Sequence, residues 1–277
     1  MSPATLVVFH AHPDDEALLD AGTLARAVQA GHRVVLVFAT KGGAGDVGAG
    51  VLSASEALAE RRAAEAQASG AALGVARVAF LDYLDSGHAP DPDGTWPVNT
   101  FCAATVDSAA LALAKILIEE HAGLLITDDR NGGYGHPDHV QVHKVAWAAA
   151  HQTNILLAQA TIDREFLSGG IELAKSMGLE IPPGFVPVDL SSWYTPHAEI
   201  THTVDVSSVL RERRASMAAH ATQATGAVDT VRTLAVFLDL PDEIFALAFS
   251  IEWFIFSNTS GPIVAGMFPD LFLPVDK

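Results

Sequence analysis

The sequence predicts an α/β fold that is Rossmann-like, with a mostly parallel sheet and helices on both faces. Short apolar runs alternate with longer amphipathic segments over the first part of the chain, which is typical of strands joined by right-handed helical crossovers. The chain has 277 residues, of which 49% are hydrophobic and 18% are charged. This length and composition suit one large domain with a sizeable core.

The strand candidates are short runs rich in Val, Ile, Leu and Phe, as buried parallel strands are. They cover residues 6–10, 34–39, 78–81, 124–127 and 155–160. The helix candidates lie between them and show an amphipathic pattern. They cover residues 16–30, 55–73, 101–121 and 139–150, and we expect a further strand at 200–206 and a further helix at 209–221.

We expect a single domain over residues 1–277, with a core of about 1–160 and a C-terminal elaboration of about 161–277. Segment 163–196 is rich in Pro and Gly near its middle, which predicts an excursion that covers a site. The tail from Thr230 is strongly apolar. We expect it either to close the core or to form the contact of a homo-oligomer.

Charge and composition exclude several classes of protein. The chain carries 33 acidic and 16 basic residues, for a formal net charge of -17, so we expect neither a nucleic-acid partner nor membrane association. No basic segment followed by a long apolar run opens the chain, which predicts a cytoplasmic protein. The single cysteine, Cys102, excludes an intramolecular disulfide and a multi-cysteine zinc site, and its apolar neighbours favour a small core residue.

The most informative run is His10-Ala11-His12-Pro13-Asp14-Asp15-Glu16, which directly follows the first predicted strand. Doubly wound sheets bind ligands at the carboxyl ends of their strands, which is where this run lies. A catalytic zinc ion takes three protein ligands and keeps one position for water. His12 and Asp15 stand three residues apart at the start of a helix and can converge on one ion, which leaves Asp14 as the base that takes a proton from water.

Helix capping is the simplest structural explanation for this run, and it accounts for one carboxylate. It does not account for His12 together with a second cluster elsewhere. We expect Glu16, in the first helical turn, to complement the helix dipole or to orient a ligand.

The second cluster, His136-Pro137-Asp138-His139, follows the strand predicted at 124–127 through a glycine-rich loop. Such a loop lets the backbone approach a ligand closely. His136 and His139 are three residues apart where a helix begins. One of them can complete a metal site with His12 and Asp15 while the other faces the substrate.

The two clusters resemble the signature motifs of one protein family. The run 12–16 and the run Gly132-Gly133-Tyr134-Gly135-His136-Pro137-Asp138-His139-Val140 are similar to those of the LmbE-like or PIG-L family of metal-dependent N-deacetylases. The chain most resembles the de-N-acetylase and the S-conjugate amidase of mycothiol metabolism. The likeness runs from about 5 to 142 and returns at 218–223.

The resemblance implies a role for each matching residue. The expected metal ligands are His12, Asp15 and His139, and the expected general base is Asp14. The resemblance further implies His136 as general acid or oxyanion stabiliser, with Asp138 tuning its protonation and Tyr134 reaching the substrate carbonyl. Weaker matches imply that Arg62 and Asp85 hold the substrate, the latter through sugar hydroxyls.

The function that the resemblance implies is hydrolysis of the N-acetyl group of a small N-acetylglucosaminyl-type substrate. Two histidines and one aspartate can hold Zn²⁺ or Fe²⁺, since ligand type constrains the metal only loosely. One alternative is an amidase that cleaves a larger N-acyl group, as in mycothiol S-conjugates. A second is a non-catalytic sugar-binding protein on the same fold, because fold alone does not fix function.

Overall fold

The computed structural model describes residues 3–48, 50–176, 178, 189–225, 232–257, 268 and 271–275. Within these ranges the strands are β1 (Thr5–His10), β2 (Arg33–Thr40), β3 (Arg77–Tyr83), β4 (Ala122–Asp128), β5 (Leu156–Thr161), β6 (His202–Asp205), β7 (Ile251–Phe256) and β8 (Leu273–Pro274). The helices are α1 (Asp15–Leu19), α2 (Ala21–Gln29), α3 (Leu58–Leu73), α4 (Val106–Glu119), α5 (Pro137–Thr153), α6 (Arg164–Ser176), α7 (Leu210–Ala219), α8 (Ala221–Ala224), α9 (Thr233–Leu238) and α10 (Asp242–Phe249).

The eight strands of the described ranges form one sheet in the order β3-β2-β1-β4-β5-β7-β6-β8. The first five strands pair in parallel, and β7, β6 and β8 extend the sheet in antiparallel fashion. The predicted fold class, a mostly parallel sheet with helices on both faces, is confirmed. The chain order reverses between β1 and β4, and doubly wound sheets bind their ligands outside the carboxyl ends of the strands at such a point.

The central strands are apolar on both sides because helices cover both faces of the sheet. Residues Leu6 to Phe9 of β1 are fully buried, as are Val34 to Ala39 of β2. Helices α4 and α5 pack on one face, and α2, α3 and the segment around α7 pack on the other. Side chains at these positions contribute about 1.5 to 3 kcal/mol each through burial.

The helix predicted at 16–30 is interrupted, which corrects that prediction. It is divided at Asp20, whose φ of -149° lies outside the helical region. The carboxylate of Asp20 is fully buried and points to His10. The interruption of the helix at Asp20 therefore accompanies a buried polar contact between Asp20 and His10.

The described part of the predicted tail closes the core of this chain. Phe254 and Phe256 lie in β7 and pack against Phe272, whereas Phe245 and Phe249 of α10 pack on α7. The apolar pattern alone did not predict that β7 joins the main sheet. The middle of the predicted excursion, 179–188, and Thr230 lie outside the described residues.

None of the helices in the described part of the chain is long and apolar enough to cross a membrane.

Candidate active site

The two polar clusters meet at the point where the strand order reverses. His12 and Asp15 follow the end of β1, and His136 and His139 follow β4, its neighbour in the sheet. The rings of His12 and His136 are 4.9 Å apart, and those of His12 and His139 are 5.2 Å apart. All of these side chains are almost completely buried. The fold therefore brings two distant segments of the chain into one site.

Asp15 lies between the two histidines expected to share a metal with it. Its Oδ2 is 3.8 Å from Nδ1 of His12, and its Oδ1 is 3.4 Å from Nε2 of His139. The backbone N–H of His12 also donates to Oδ2 of Asp15 at 2.7 Å, which fixes the carboxylate across the turn. The three expected ligands are thus close together.

Several ligand combinations are available at this site. Within the described residues, three groups have ligand atoms within 4.8 Å of one another: His12, His136 and His139; His12, Asp85 and Asp138; and Asp15, Asp128 and His139. The expected set of His12, Asp15 and His139 draws on two of these groups. Nε2 of His139 is buried and has no hydrogen-bond partner among the described residues. A buried imidazole nitrogen beside a carboxylate and a second imidazole fits a divalent metal ion.

Asp14 has the backbone strain that is common at active sites. Its φ is 116°, a value that favours glycine, and its N–H donates to Oε2 of Glu16 at 3.1 Å. Nη2 of Arg62 donates to its Oδ1 at 3.0 Å. Burial and the neighbouring Asp15 carboxylate raise the pKa of Asp14 to about 6, although Arg62 opposes the change.

Glu16 supports the turn that carries Asp14 through hydrogen bonds to buried neighbours, rather than pointing into the site. Its Oε1 accepts hydrogen bonds from Ser69 and from His220 of the C-terminal half, each at 2.5 Å. Burial alone would raise its pKa, but the His220 charge and these hydrogen bonds lower the pKa to about 2. The ionised carboxylate can therefore keep accepting the Asp14 N–H.

Arg62, which was expected to hold the substrate, instead contacts Asp14, the expected general base. It is 4% exposed, and its guanidinium donates to the carbonyl oxygens of Pro13 and Gly42 as well as to Asp14. A Cβ on Gly42 would lie 2.4 Å from Nη1 of Arg62. The loop after β2 thus needs glycine so that the arginine can reach Asp14.

His136 caps α5 with its own ring. Its Nδ1 accepts the backbone N–H of Asp138 at 3.1 Å, so the ring proton of the neutral imidazole is on Nε2. Burial and the neighbouring His12 and His139 lower the pKa of His136 to about 3. In its neutral form the ring can donate a hydrogen bond from Nε2.

The carboxylate of Asp138 contacts groups other than the ring of His136. Its Oδ2 lies 3.2 Å from Nε2 of His12 and accepts the N–H of Ser86 at 3.0 Å. Its Oδ1 accepts from the thiol of Cys102 at 3.1 Å. The Asp138 carboxylate makes no hydrogen bond to the ring of His136 among the described residues, but its charge raises the pKa of His136 against the effect of burial.

Tyr134 lies on the open side of the site. Its ring is 5.4 Å from that of His139 and 6.0 Å from that of Trp193, and the residue is 42% exposed. Partial burial and the nearby Asp15 and Asp14 carboxylates raise the pKa of the phenol. The hydroxyl therefore remains protonated and can donate a hydrogen bond.

Asp129 fixes the loop that carries Tyr134. Its Oδ1 accepts the N–H groups of Asn131 and Gly133, and its Oδ2 accepts the hydroxyls of Thr161 and Thr195. With these donors, the buried carboxylate is well satisfied. The loop is thereby tied to the end of β5.

Asp85, expected to grip sugar hydroxyls, lies at the edge of the cluster around His12. Its Oδ1 is 3.5 Å from Nε2 of His12 and accepts the N–H of Gly87, while its Oδ2 accepts the N–H of Ala44. Burial alone would raise its pKa, but these contacts lower it. Asp85 stays ionised and joins two loops around His12.

Sequence reasoning missed several residues near the site. Asp128, the last residue of β4, contacts His139 and His10, and His88 stacks edge-on against His136 at 4.8 Å. The position of Asp128 directly after the strand predicted at 124–127 was an available signal. Cys102 was expected in the core, but it is half-buried beside Asp138.

Comparison with known families agrees with this geometry. Residues 7–150, slightly more than half of the chain, match the PIG-L family described as GlcNAc-PI de-N-acetylase. The chain belongs to the PIG-L family. The resemblance seen in the two motifs is therefore confirmed.

Curated PIG-L relatives match along nearly the whole length. A 1D-myo-inositol 2-acetamido-2-deoxy-alpha-D-glucopyranoside deacetylase of Acidothermus cellulolyticus is 35% identical over 286 aligned positions, covering 98% of this chain and 95% of that protein. The enzyme of the same name from Nakamurella multipartita is 36% identical, covering 89% and 84% of the two chains. The predicted enzyme class, a hydrolase of an N-acetyl amide, is confirmed by these relatives.

Solved structures share the PIG-L fold at lower identity. The zinc-inhibited form of teicoplanin deacetylase Orf2 is 19% identical with a TM-score of 0.58, covering 93% of this chain and 100% of that chain. A conserved protein from Thermus thermophilus is 20% identical with a TM-score of 0.53, covering 98% of both chains. At this level of sequence identity, the similarity shows that the fold is shared.

Proposed function

We propose that this protein is a metal-dependent N-deacetylase that removes the acetyl group from an N-acetylglucosaminyl compound. The observation that carries the proposal is the convergence of His12, Asp15 and His139 near the carboxylate of Asp14, which interacts electrostatically with Asp15 and His12. The names of the two curated relatives described above support a substrate in which the amino sugar is joined to inositol.

His12, Asp15 and His139 would hold the metal ion. Zinc or ferrous iron bound there would lower the pKa of a water molecule and polarise the acetamide carbonyl. Asp15 bridges the space between the two imidazoles, and its position is fixed by the N–H of His12.

Asp14 acts as the base. It takes one proton from the attacking water as the water oxygen bonds to the acetyl carbon. Arg62 holds Oδ1 of Asp14, and Glu16 holds its backbone N–H. These two contacts fix the carboxylate in one orientation, which makes proton transfer effectively unimolecular.

Tyr134 and His136 stabilise the oxyanion that forms on the former carbonyl oxygen. Both are donors, since the phenol stays protonated and the neutral imidazole carries its proton on Nε2. Each such donor contributes typically about 2.7 to 4 kcal/mol to the transition state. Asp138 contributes by holding His12.

The leaving nitrogen needs a proton before the amide bond breaks. Asp14 received one from water and returns it to this nitrogen. The C–N bond then breaks, and acetate and the free amine leave.

The sugar would lie between the aromatic side of the site and the loop of Asp85. Tyr134 and Trp193 form that aromatic side, and aromatic faces stack well on the apolar faces of a sugar ring. Asp85 remains ionised and can accept hydrogen bonds from sugar hydroxyls.

The experiment is an assay of amine release with a panel of N-acylated amino sugars. The panel varies the acyl length and compares N-acetylglucosaminyl-inositol with free N-acetylglucosamine. The protein is stripped of metal with a chelator and reloaded with Zn²⁺ or Fe²⁺. We expect equal amounts of amine and acetate from the inositol conjugate, and only after reloading.

Two results would contradict the proposal. Release of a longer acid in preference to acetate would identify the amidase that the motifs left as an alternative. Sugar binding without release of any acid, in a protein that takes up no metal, would identify a binding protein.

A further inference from the structure

A chain of buried polar groups leads from the metal site into the core. Nδ1 of His139 lies 2.8 Å from Oδ2 of Asp128, whose Oδ1 lies 2.5 Å from Nδ1 of His10. Nε2 of His10 lies 3.2 Å from Oδ2 of Asp20. His10 and Asp20 are fully buried, and Asp128 is 1% exposed. We infer that Asp20, His10 and Asp128 position the ring of His139 so that its Nε2 faces the metal.

The fold aligns this chain of groups through the sheet. His10 ends β1 and Asp128 ends β4, and the preceding residues, Phe9 and Thr127, are partners in the parallel ladder. The two side chains therefore leave neighbouring strands at the same level. Asp20 reaches His10 only because the helix is interrupted at that residue.

Asp128 determines which nitrogen of His139 faces the site. Oδ2 of Asp128 lies 2.8 Å from Nδ1 of His139, and a carboxylate this close favours the proton on Nδ1, which leaves the lone pair on Nε2. That Nε2 is the buried atom without a partner among the described residues, 3.4 Å from Asp15. Carboxylates that hold a metal-binding imidazole in this way typically contribute about 10- to 100-fold to metal affinity or activity.

His10 and Asp20 act through Asp128. His10 occupies Oδ1 of Asp128, so that Oδ2 remains for His139. Asp20 in turn holds the other nitrogen of His10. None of the three lies against the substrate position that we propose, so they are positioning residues. This inference rests on the proposed metal-dependent function.

The test measures metal affinity in Asp128→Asn and Asp20→Asn. An asparagine at 128 has one oxygen and one NH₂ group, so it can accept from only one of its two imidazole neighbours. His202→Gln is the matched control, because His202 is also a buried histidine but contacts Thr201 and Phe256 far along the sheet. Zn²⁺ affinity is measured by competition with a chromogenic chelator, and unfolding of the metal-free proteins is followed in urea.

We expect Zn²⁺ binding to weaken about 10- to 100-fold in Asp128→Asn and in the same direction, to a smaller extent, in Asp20→Asn. His202→Gln should bind Zn²⁺ as the wild-type protein does. If the wild-type protein, Asp128→Asn and Asp20→Asn all bind Zn²⁺ with equal affinity, the inference is overturned while the proposed function stands. A wild-type protein that binds neither Zn²⁺ nor Fe²⁺ would overturn both. If Asp128→Asn fails to fold, the affinity of Asp20→Asn decides.

Discussion

Nη2 of Arg62 lies 3.0 Å from Oδ1 of Asp14, and the same nitrogen donates to the carbonyl oxygen of Pro13. The arginine thus ties the carboxylate to the backbone of the preceding residue. The side chain of Arg62 is 5% exposed and that of Asp14 is 19% exposed, so water competes little for this pair. A charged pair of this kind orients a base more firmly than a surface salt bridge does.

Replacing Arg62 separates a positioning role from substrate binding. In Arg62→Met we expect kcat to fall roughly hundredfold, since small displacements of a catalytic group have effects of this size, with KM nearly unchanged. Steady-state kinetics on the inositol conjugate measures both. A higher KM with an unchanged kcat would instead support the substrate contact that the motif resemblance implies.

Removing the base should leave the metal in place. In Asp14→Ala we expect turnover to fall by roughly 10²- to 10⁴-fold, the usual contribution of a general base, while bound zinc stays near the wild-type amount. His12→Ala and Asp15→Ala should lose both metal and activity. Metal content by mass spectrometry and acetate release provide the comparison, and full activity in Asp14→Ala would refute its role as base.

The glycine-rich loop offers a matched pair of substitutions. Gly132 and Gly135 both have positive φ values, 63° and 93°. A Cβ at Gly132 would lie 2.7 Å from the backbone nitrogen of Val140, whereas a Cβ at Gly135 would meet nothing within 4 Å. Alanine at 135 should therefore cost only the backbone strain, about 1 kcal/mol.

Alanine at 132 should cost about 1 to 3 kcal/mol more, since overpacking adds to the strain. The atoms that would be displaced belong to the first turn of α5, next to His139, so the affinity for Zn²⁺ should fall as well. Urea unfolding and zinc titration of the two variants measure these effects. Equal losses in the two variants would show that the close contact with Val140 does not matter.

The pair of Glu16 and His220 links the catalytic turn to the C-terminal half. Both side chains are fully buried, and their closest atoms are 2.5 Å apart. In His220→Gln we expect unfolding to become easier by about 3 kcal/mol, because a buried carboxylate loses its charged partner. Urea unfolding of the metal-free protein measures this loss, and His202→Gln gives the cost of replacing a buried histidine that has no ionic partner among the described residues. A loss no larger than in that control would remove the ion pair as the cause.

The positions of the first five strands follow from the sequence, because fully buried parallel strands need continuous apolar runs such as 6–9. The candidate site followed from the two polar clusters at strand ends. Asp20 illustrates what a pattern of apolar positions does not show. In the sequence, the helical pattern of apolar residues continues across Asp20. In the structure, the helix is interrupted there, where Asp20 contacts His10, a residue that only the fold brings close.

The pairing of Asp138 illustrates the same limit within the site. The motif places Asp138 two residues from His136, but the helix start directs its carboxylate toward His12, Ser86 and Cys102. Contacts with loops distant in the chain decide the partner. Likewise β7 follows β5 in the sheet although about ninety residues separate them, and no local pattern encodes that neighbour.

Cys102 should be an unreactive thiol despite its position beside the site. Burial, together with the neighbouring Asp138 carboxylate, raises the pKa of Cys102 to about 12. The thiolate is the reactive form, so at pH 8 only about one thiol in ten thousand is available. We expect alkylation by iodoacetamide in the metal-free protein to be slow at pH 8 and to accelerate about tenfold per pH unit up to pH 10.

The same protein unfolded in urea provides the control, because its thiol regains an ordinary pKa. Unfolded protein should react at pH 8 at the rate of a free cysteine, and its rate should level off above pH 9. The Asp138→Asn variant tests the cause, since removing that charge lowers the pKa of Cys102 and should accelerate alkylation of the folded protein. A folded wild-type protein that reacts at pH 8 as fast as the unfolded one would show that neither burial nor Asp138 holds the proton on the thiol.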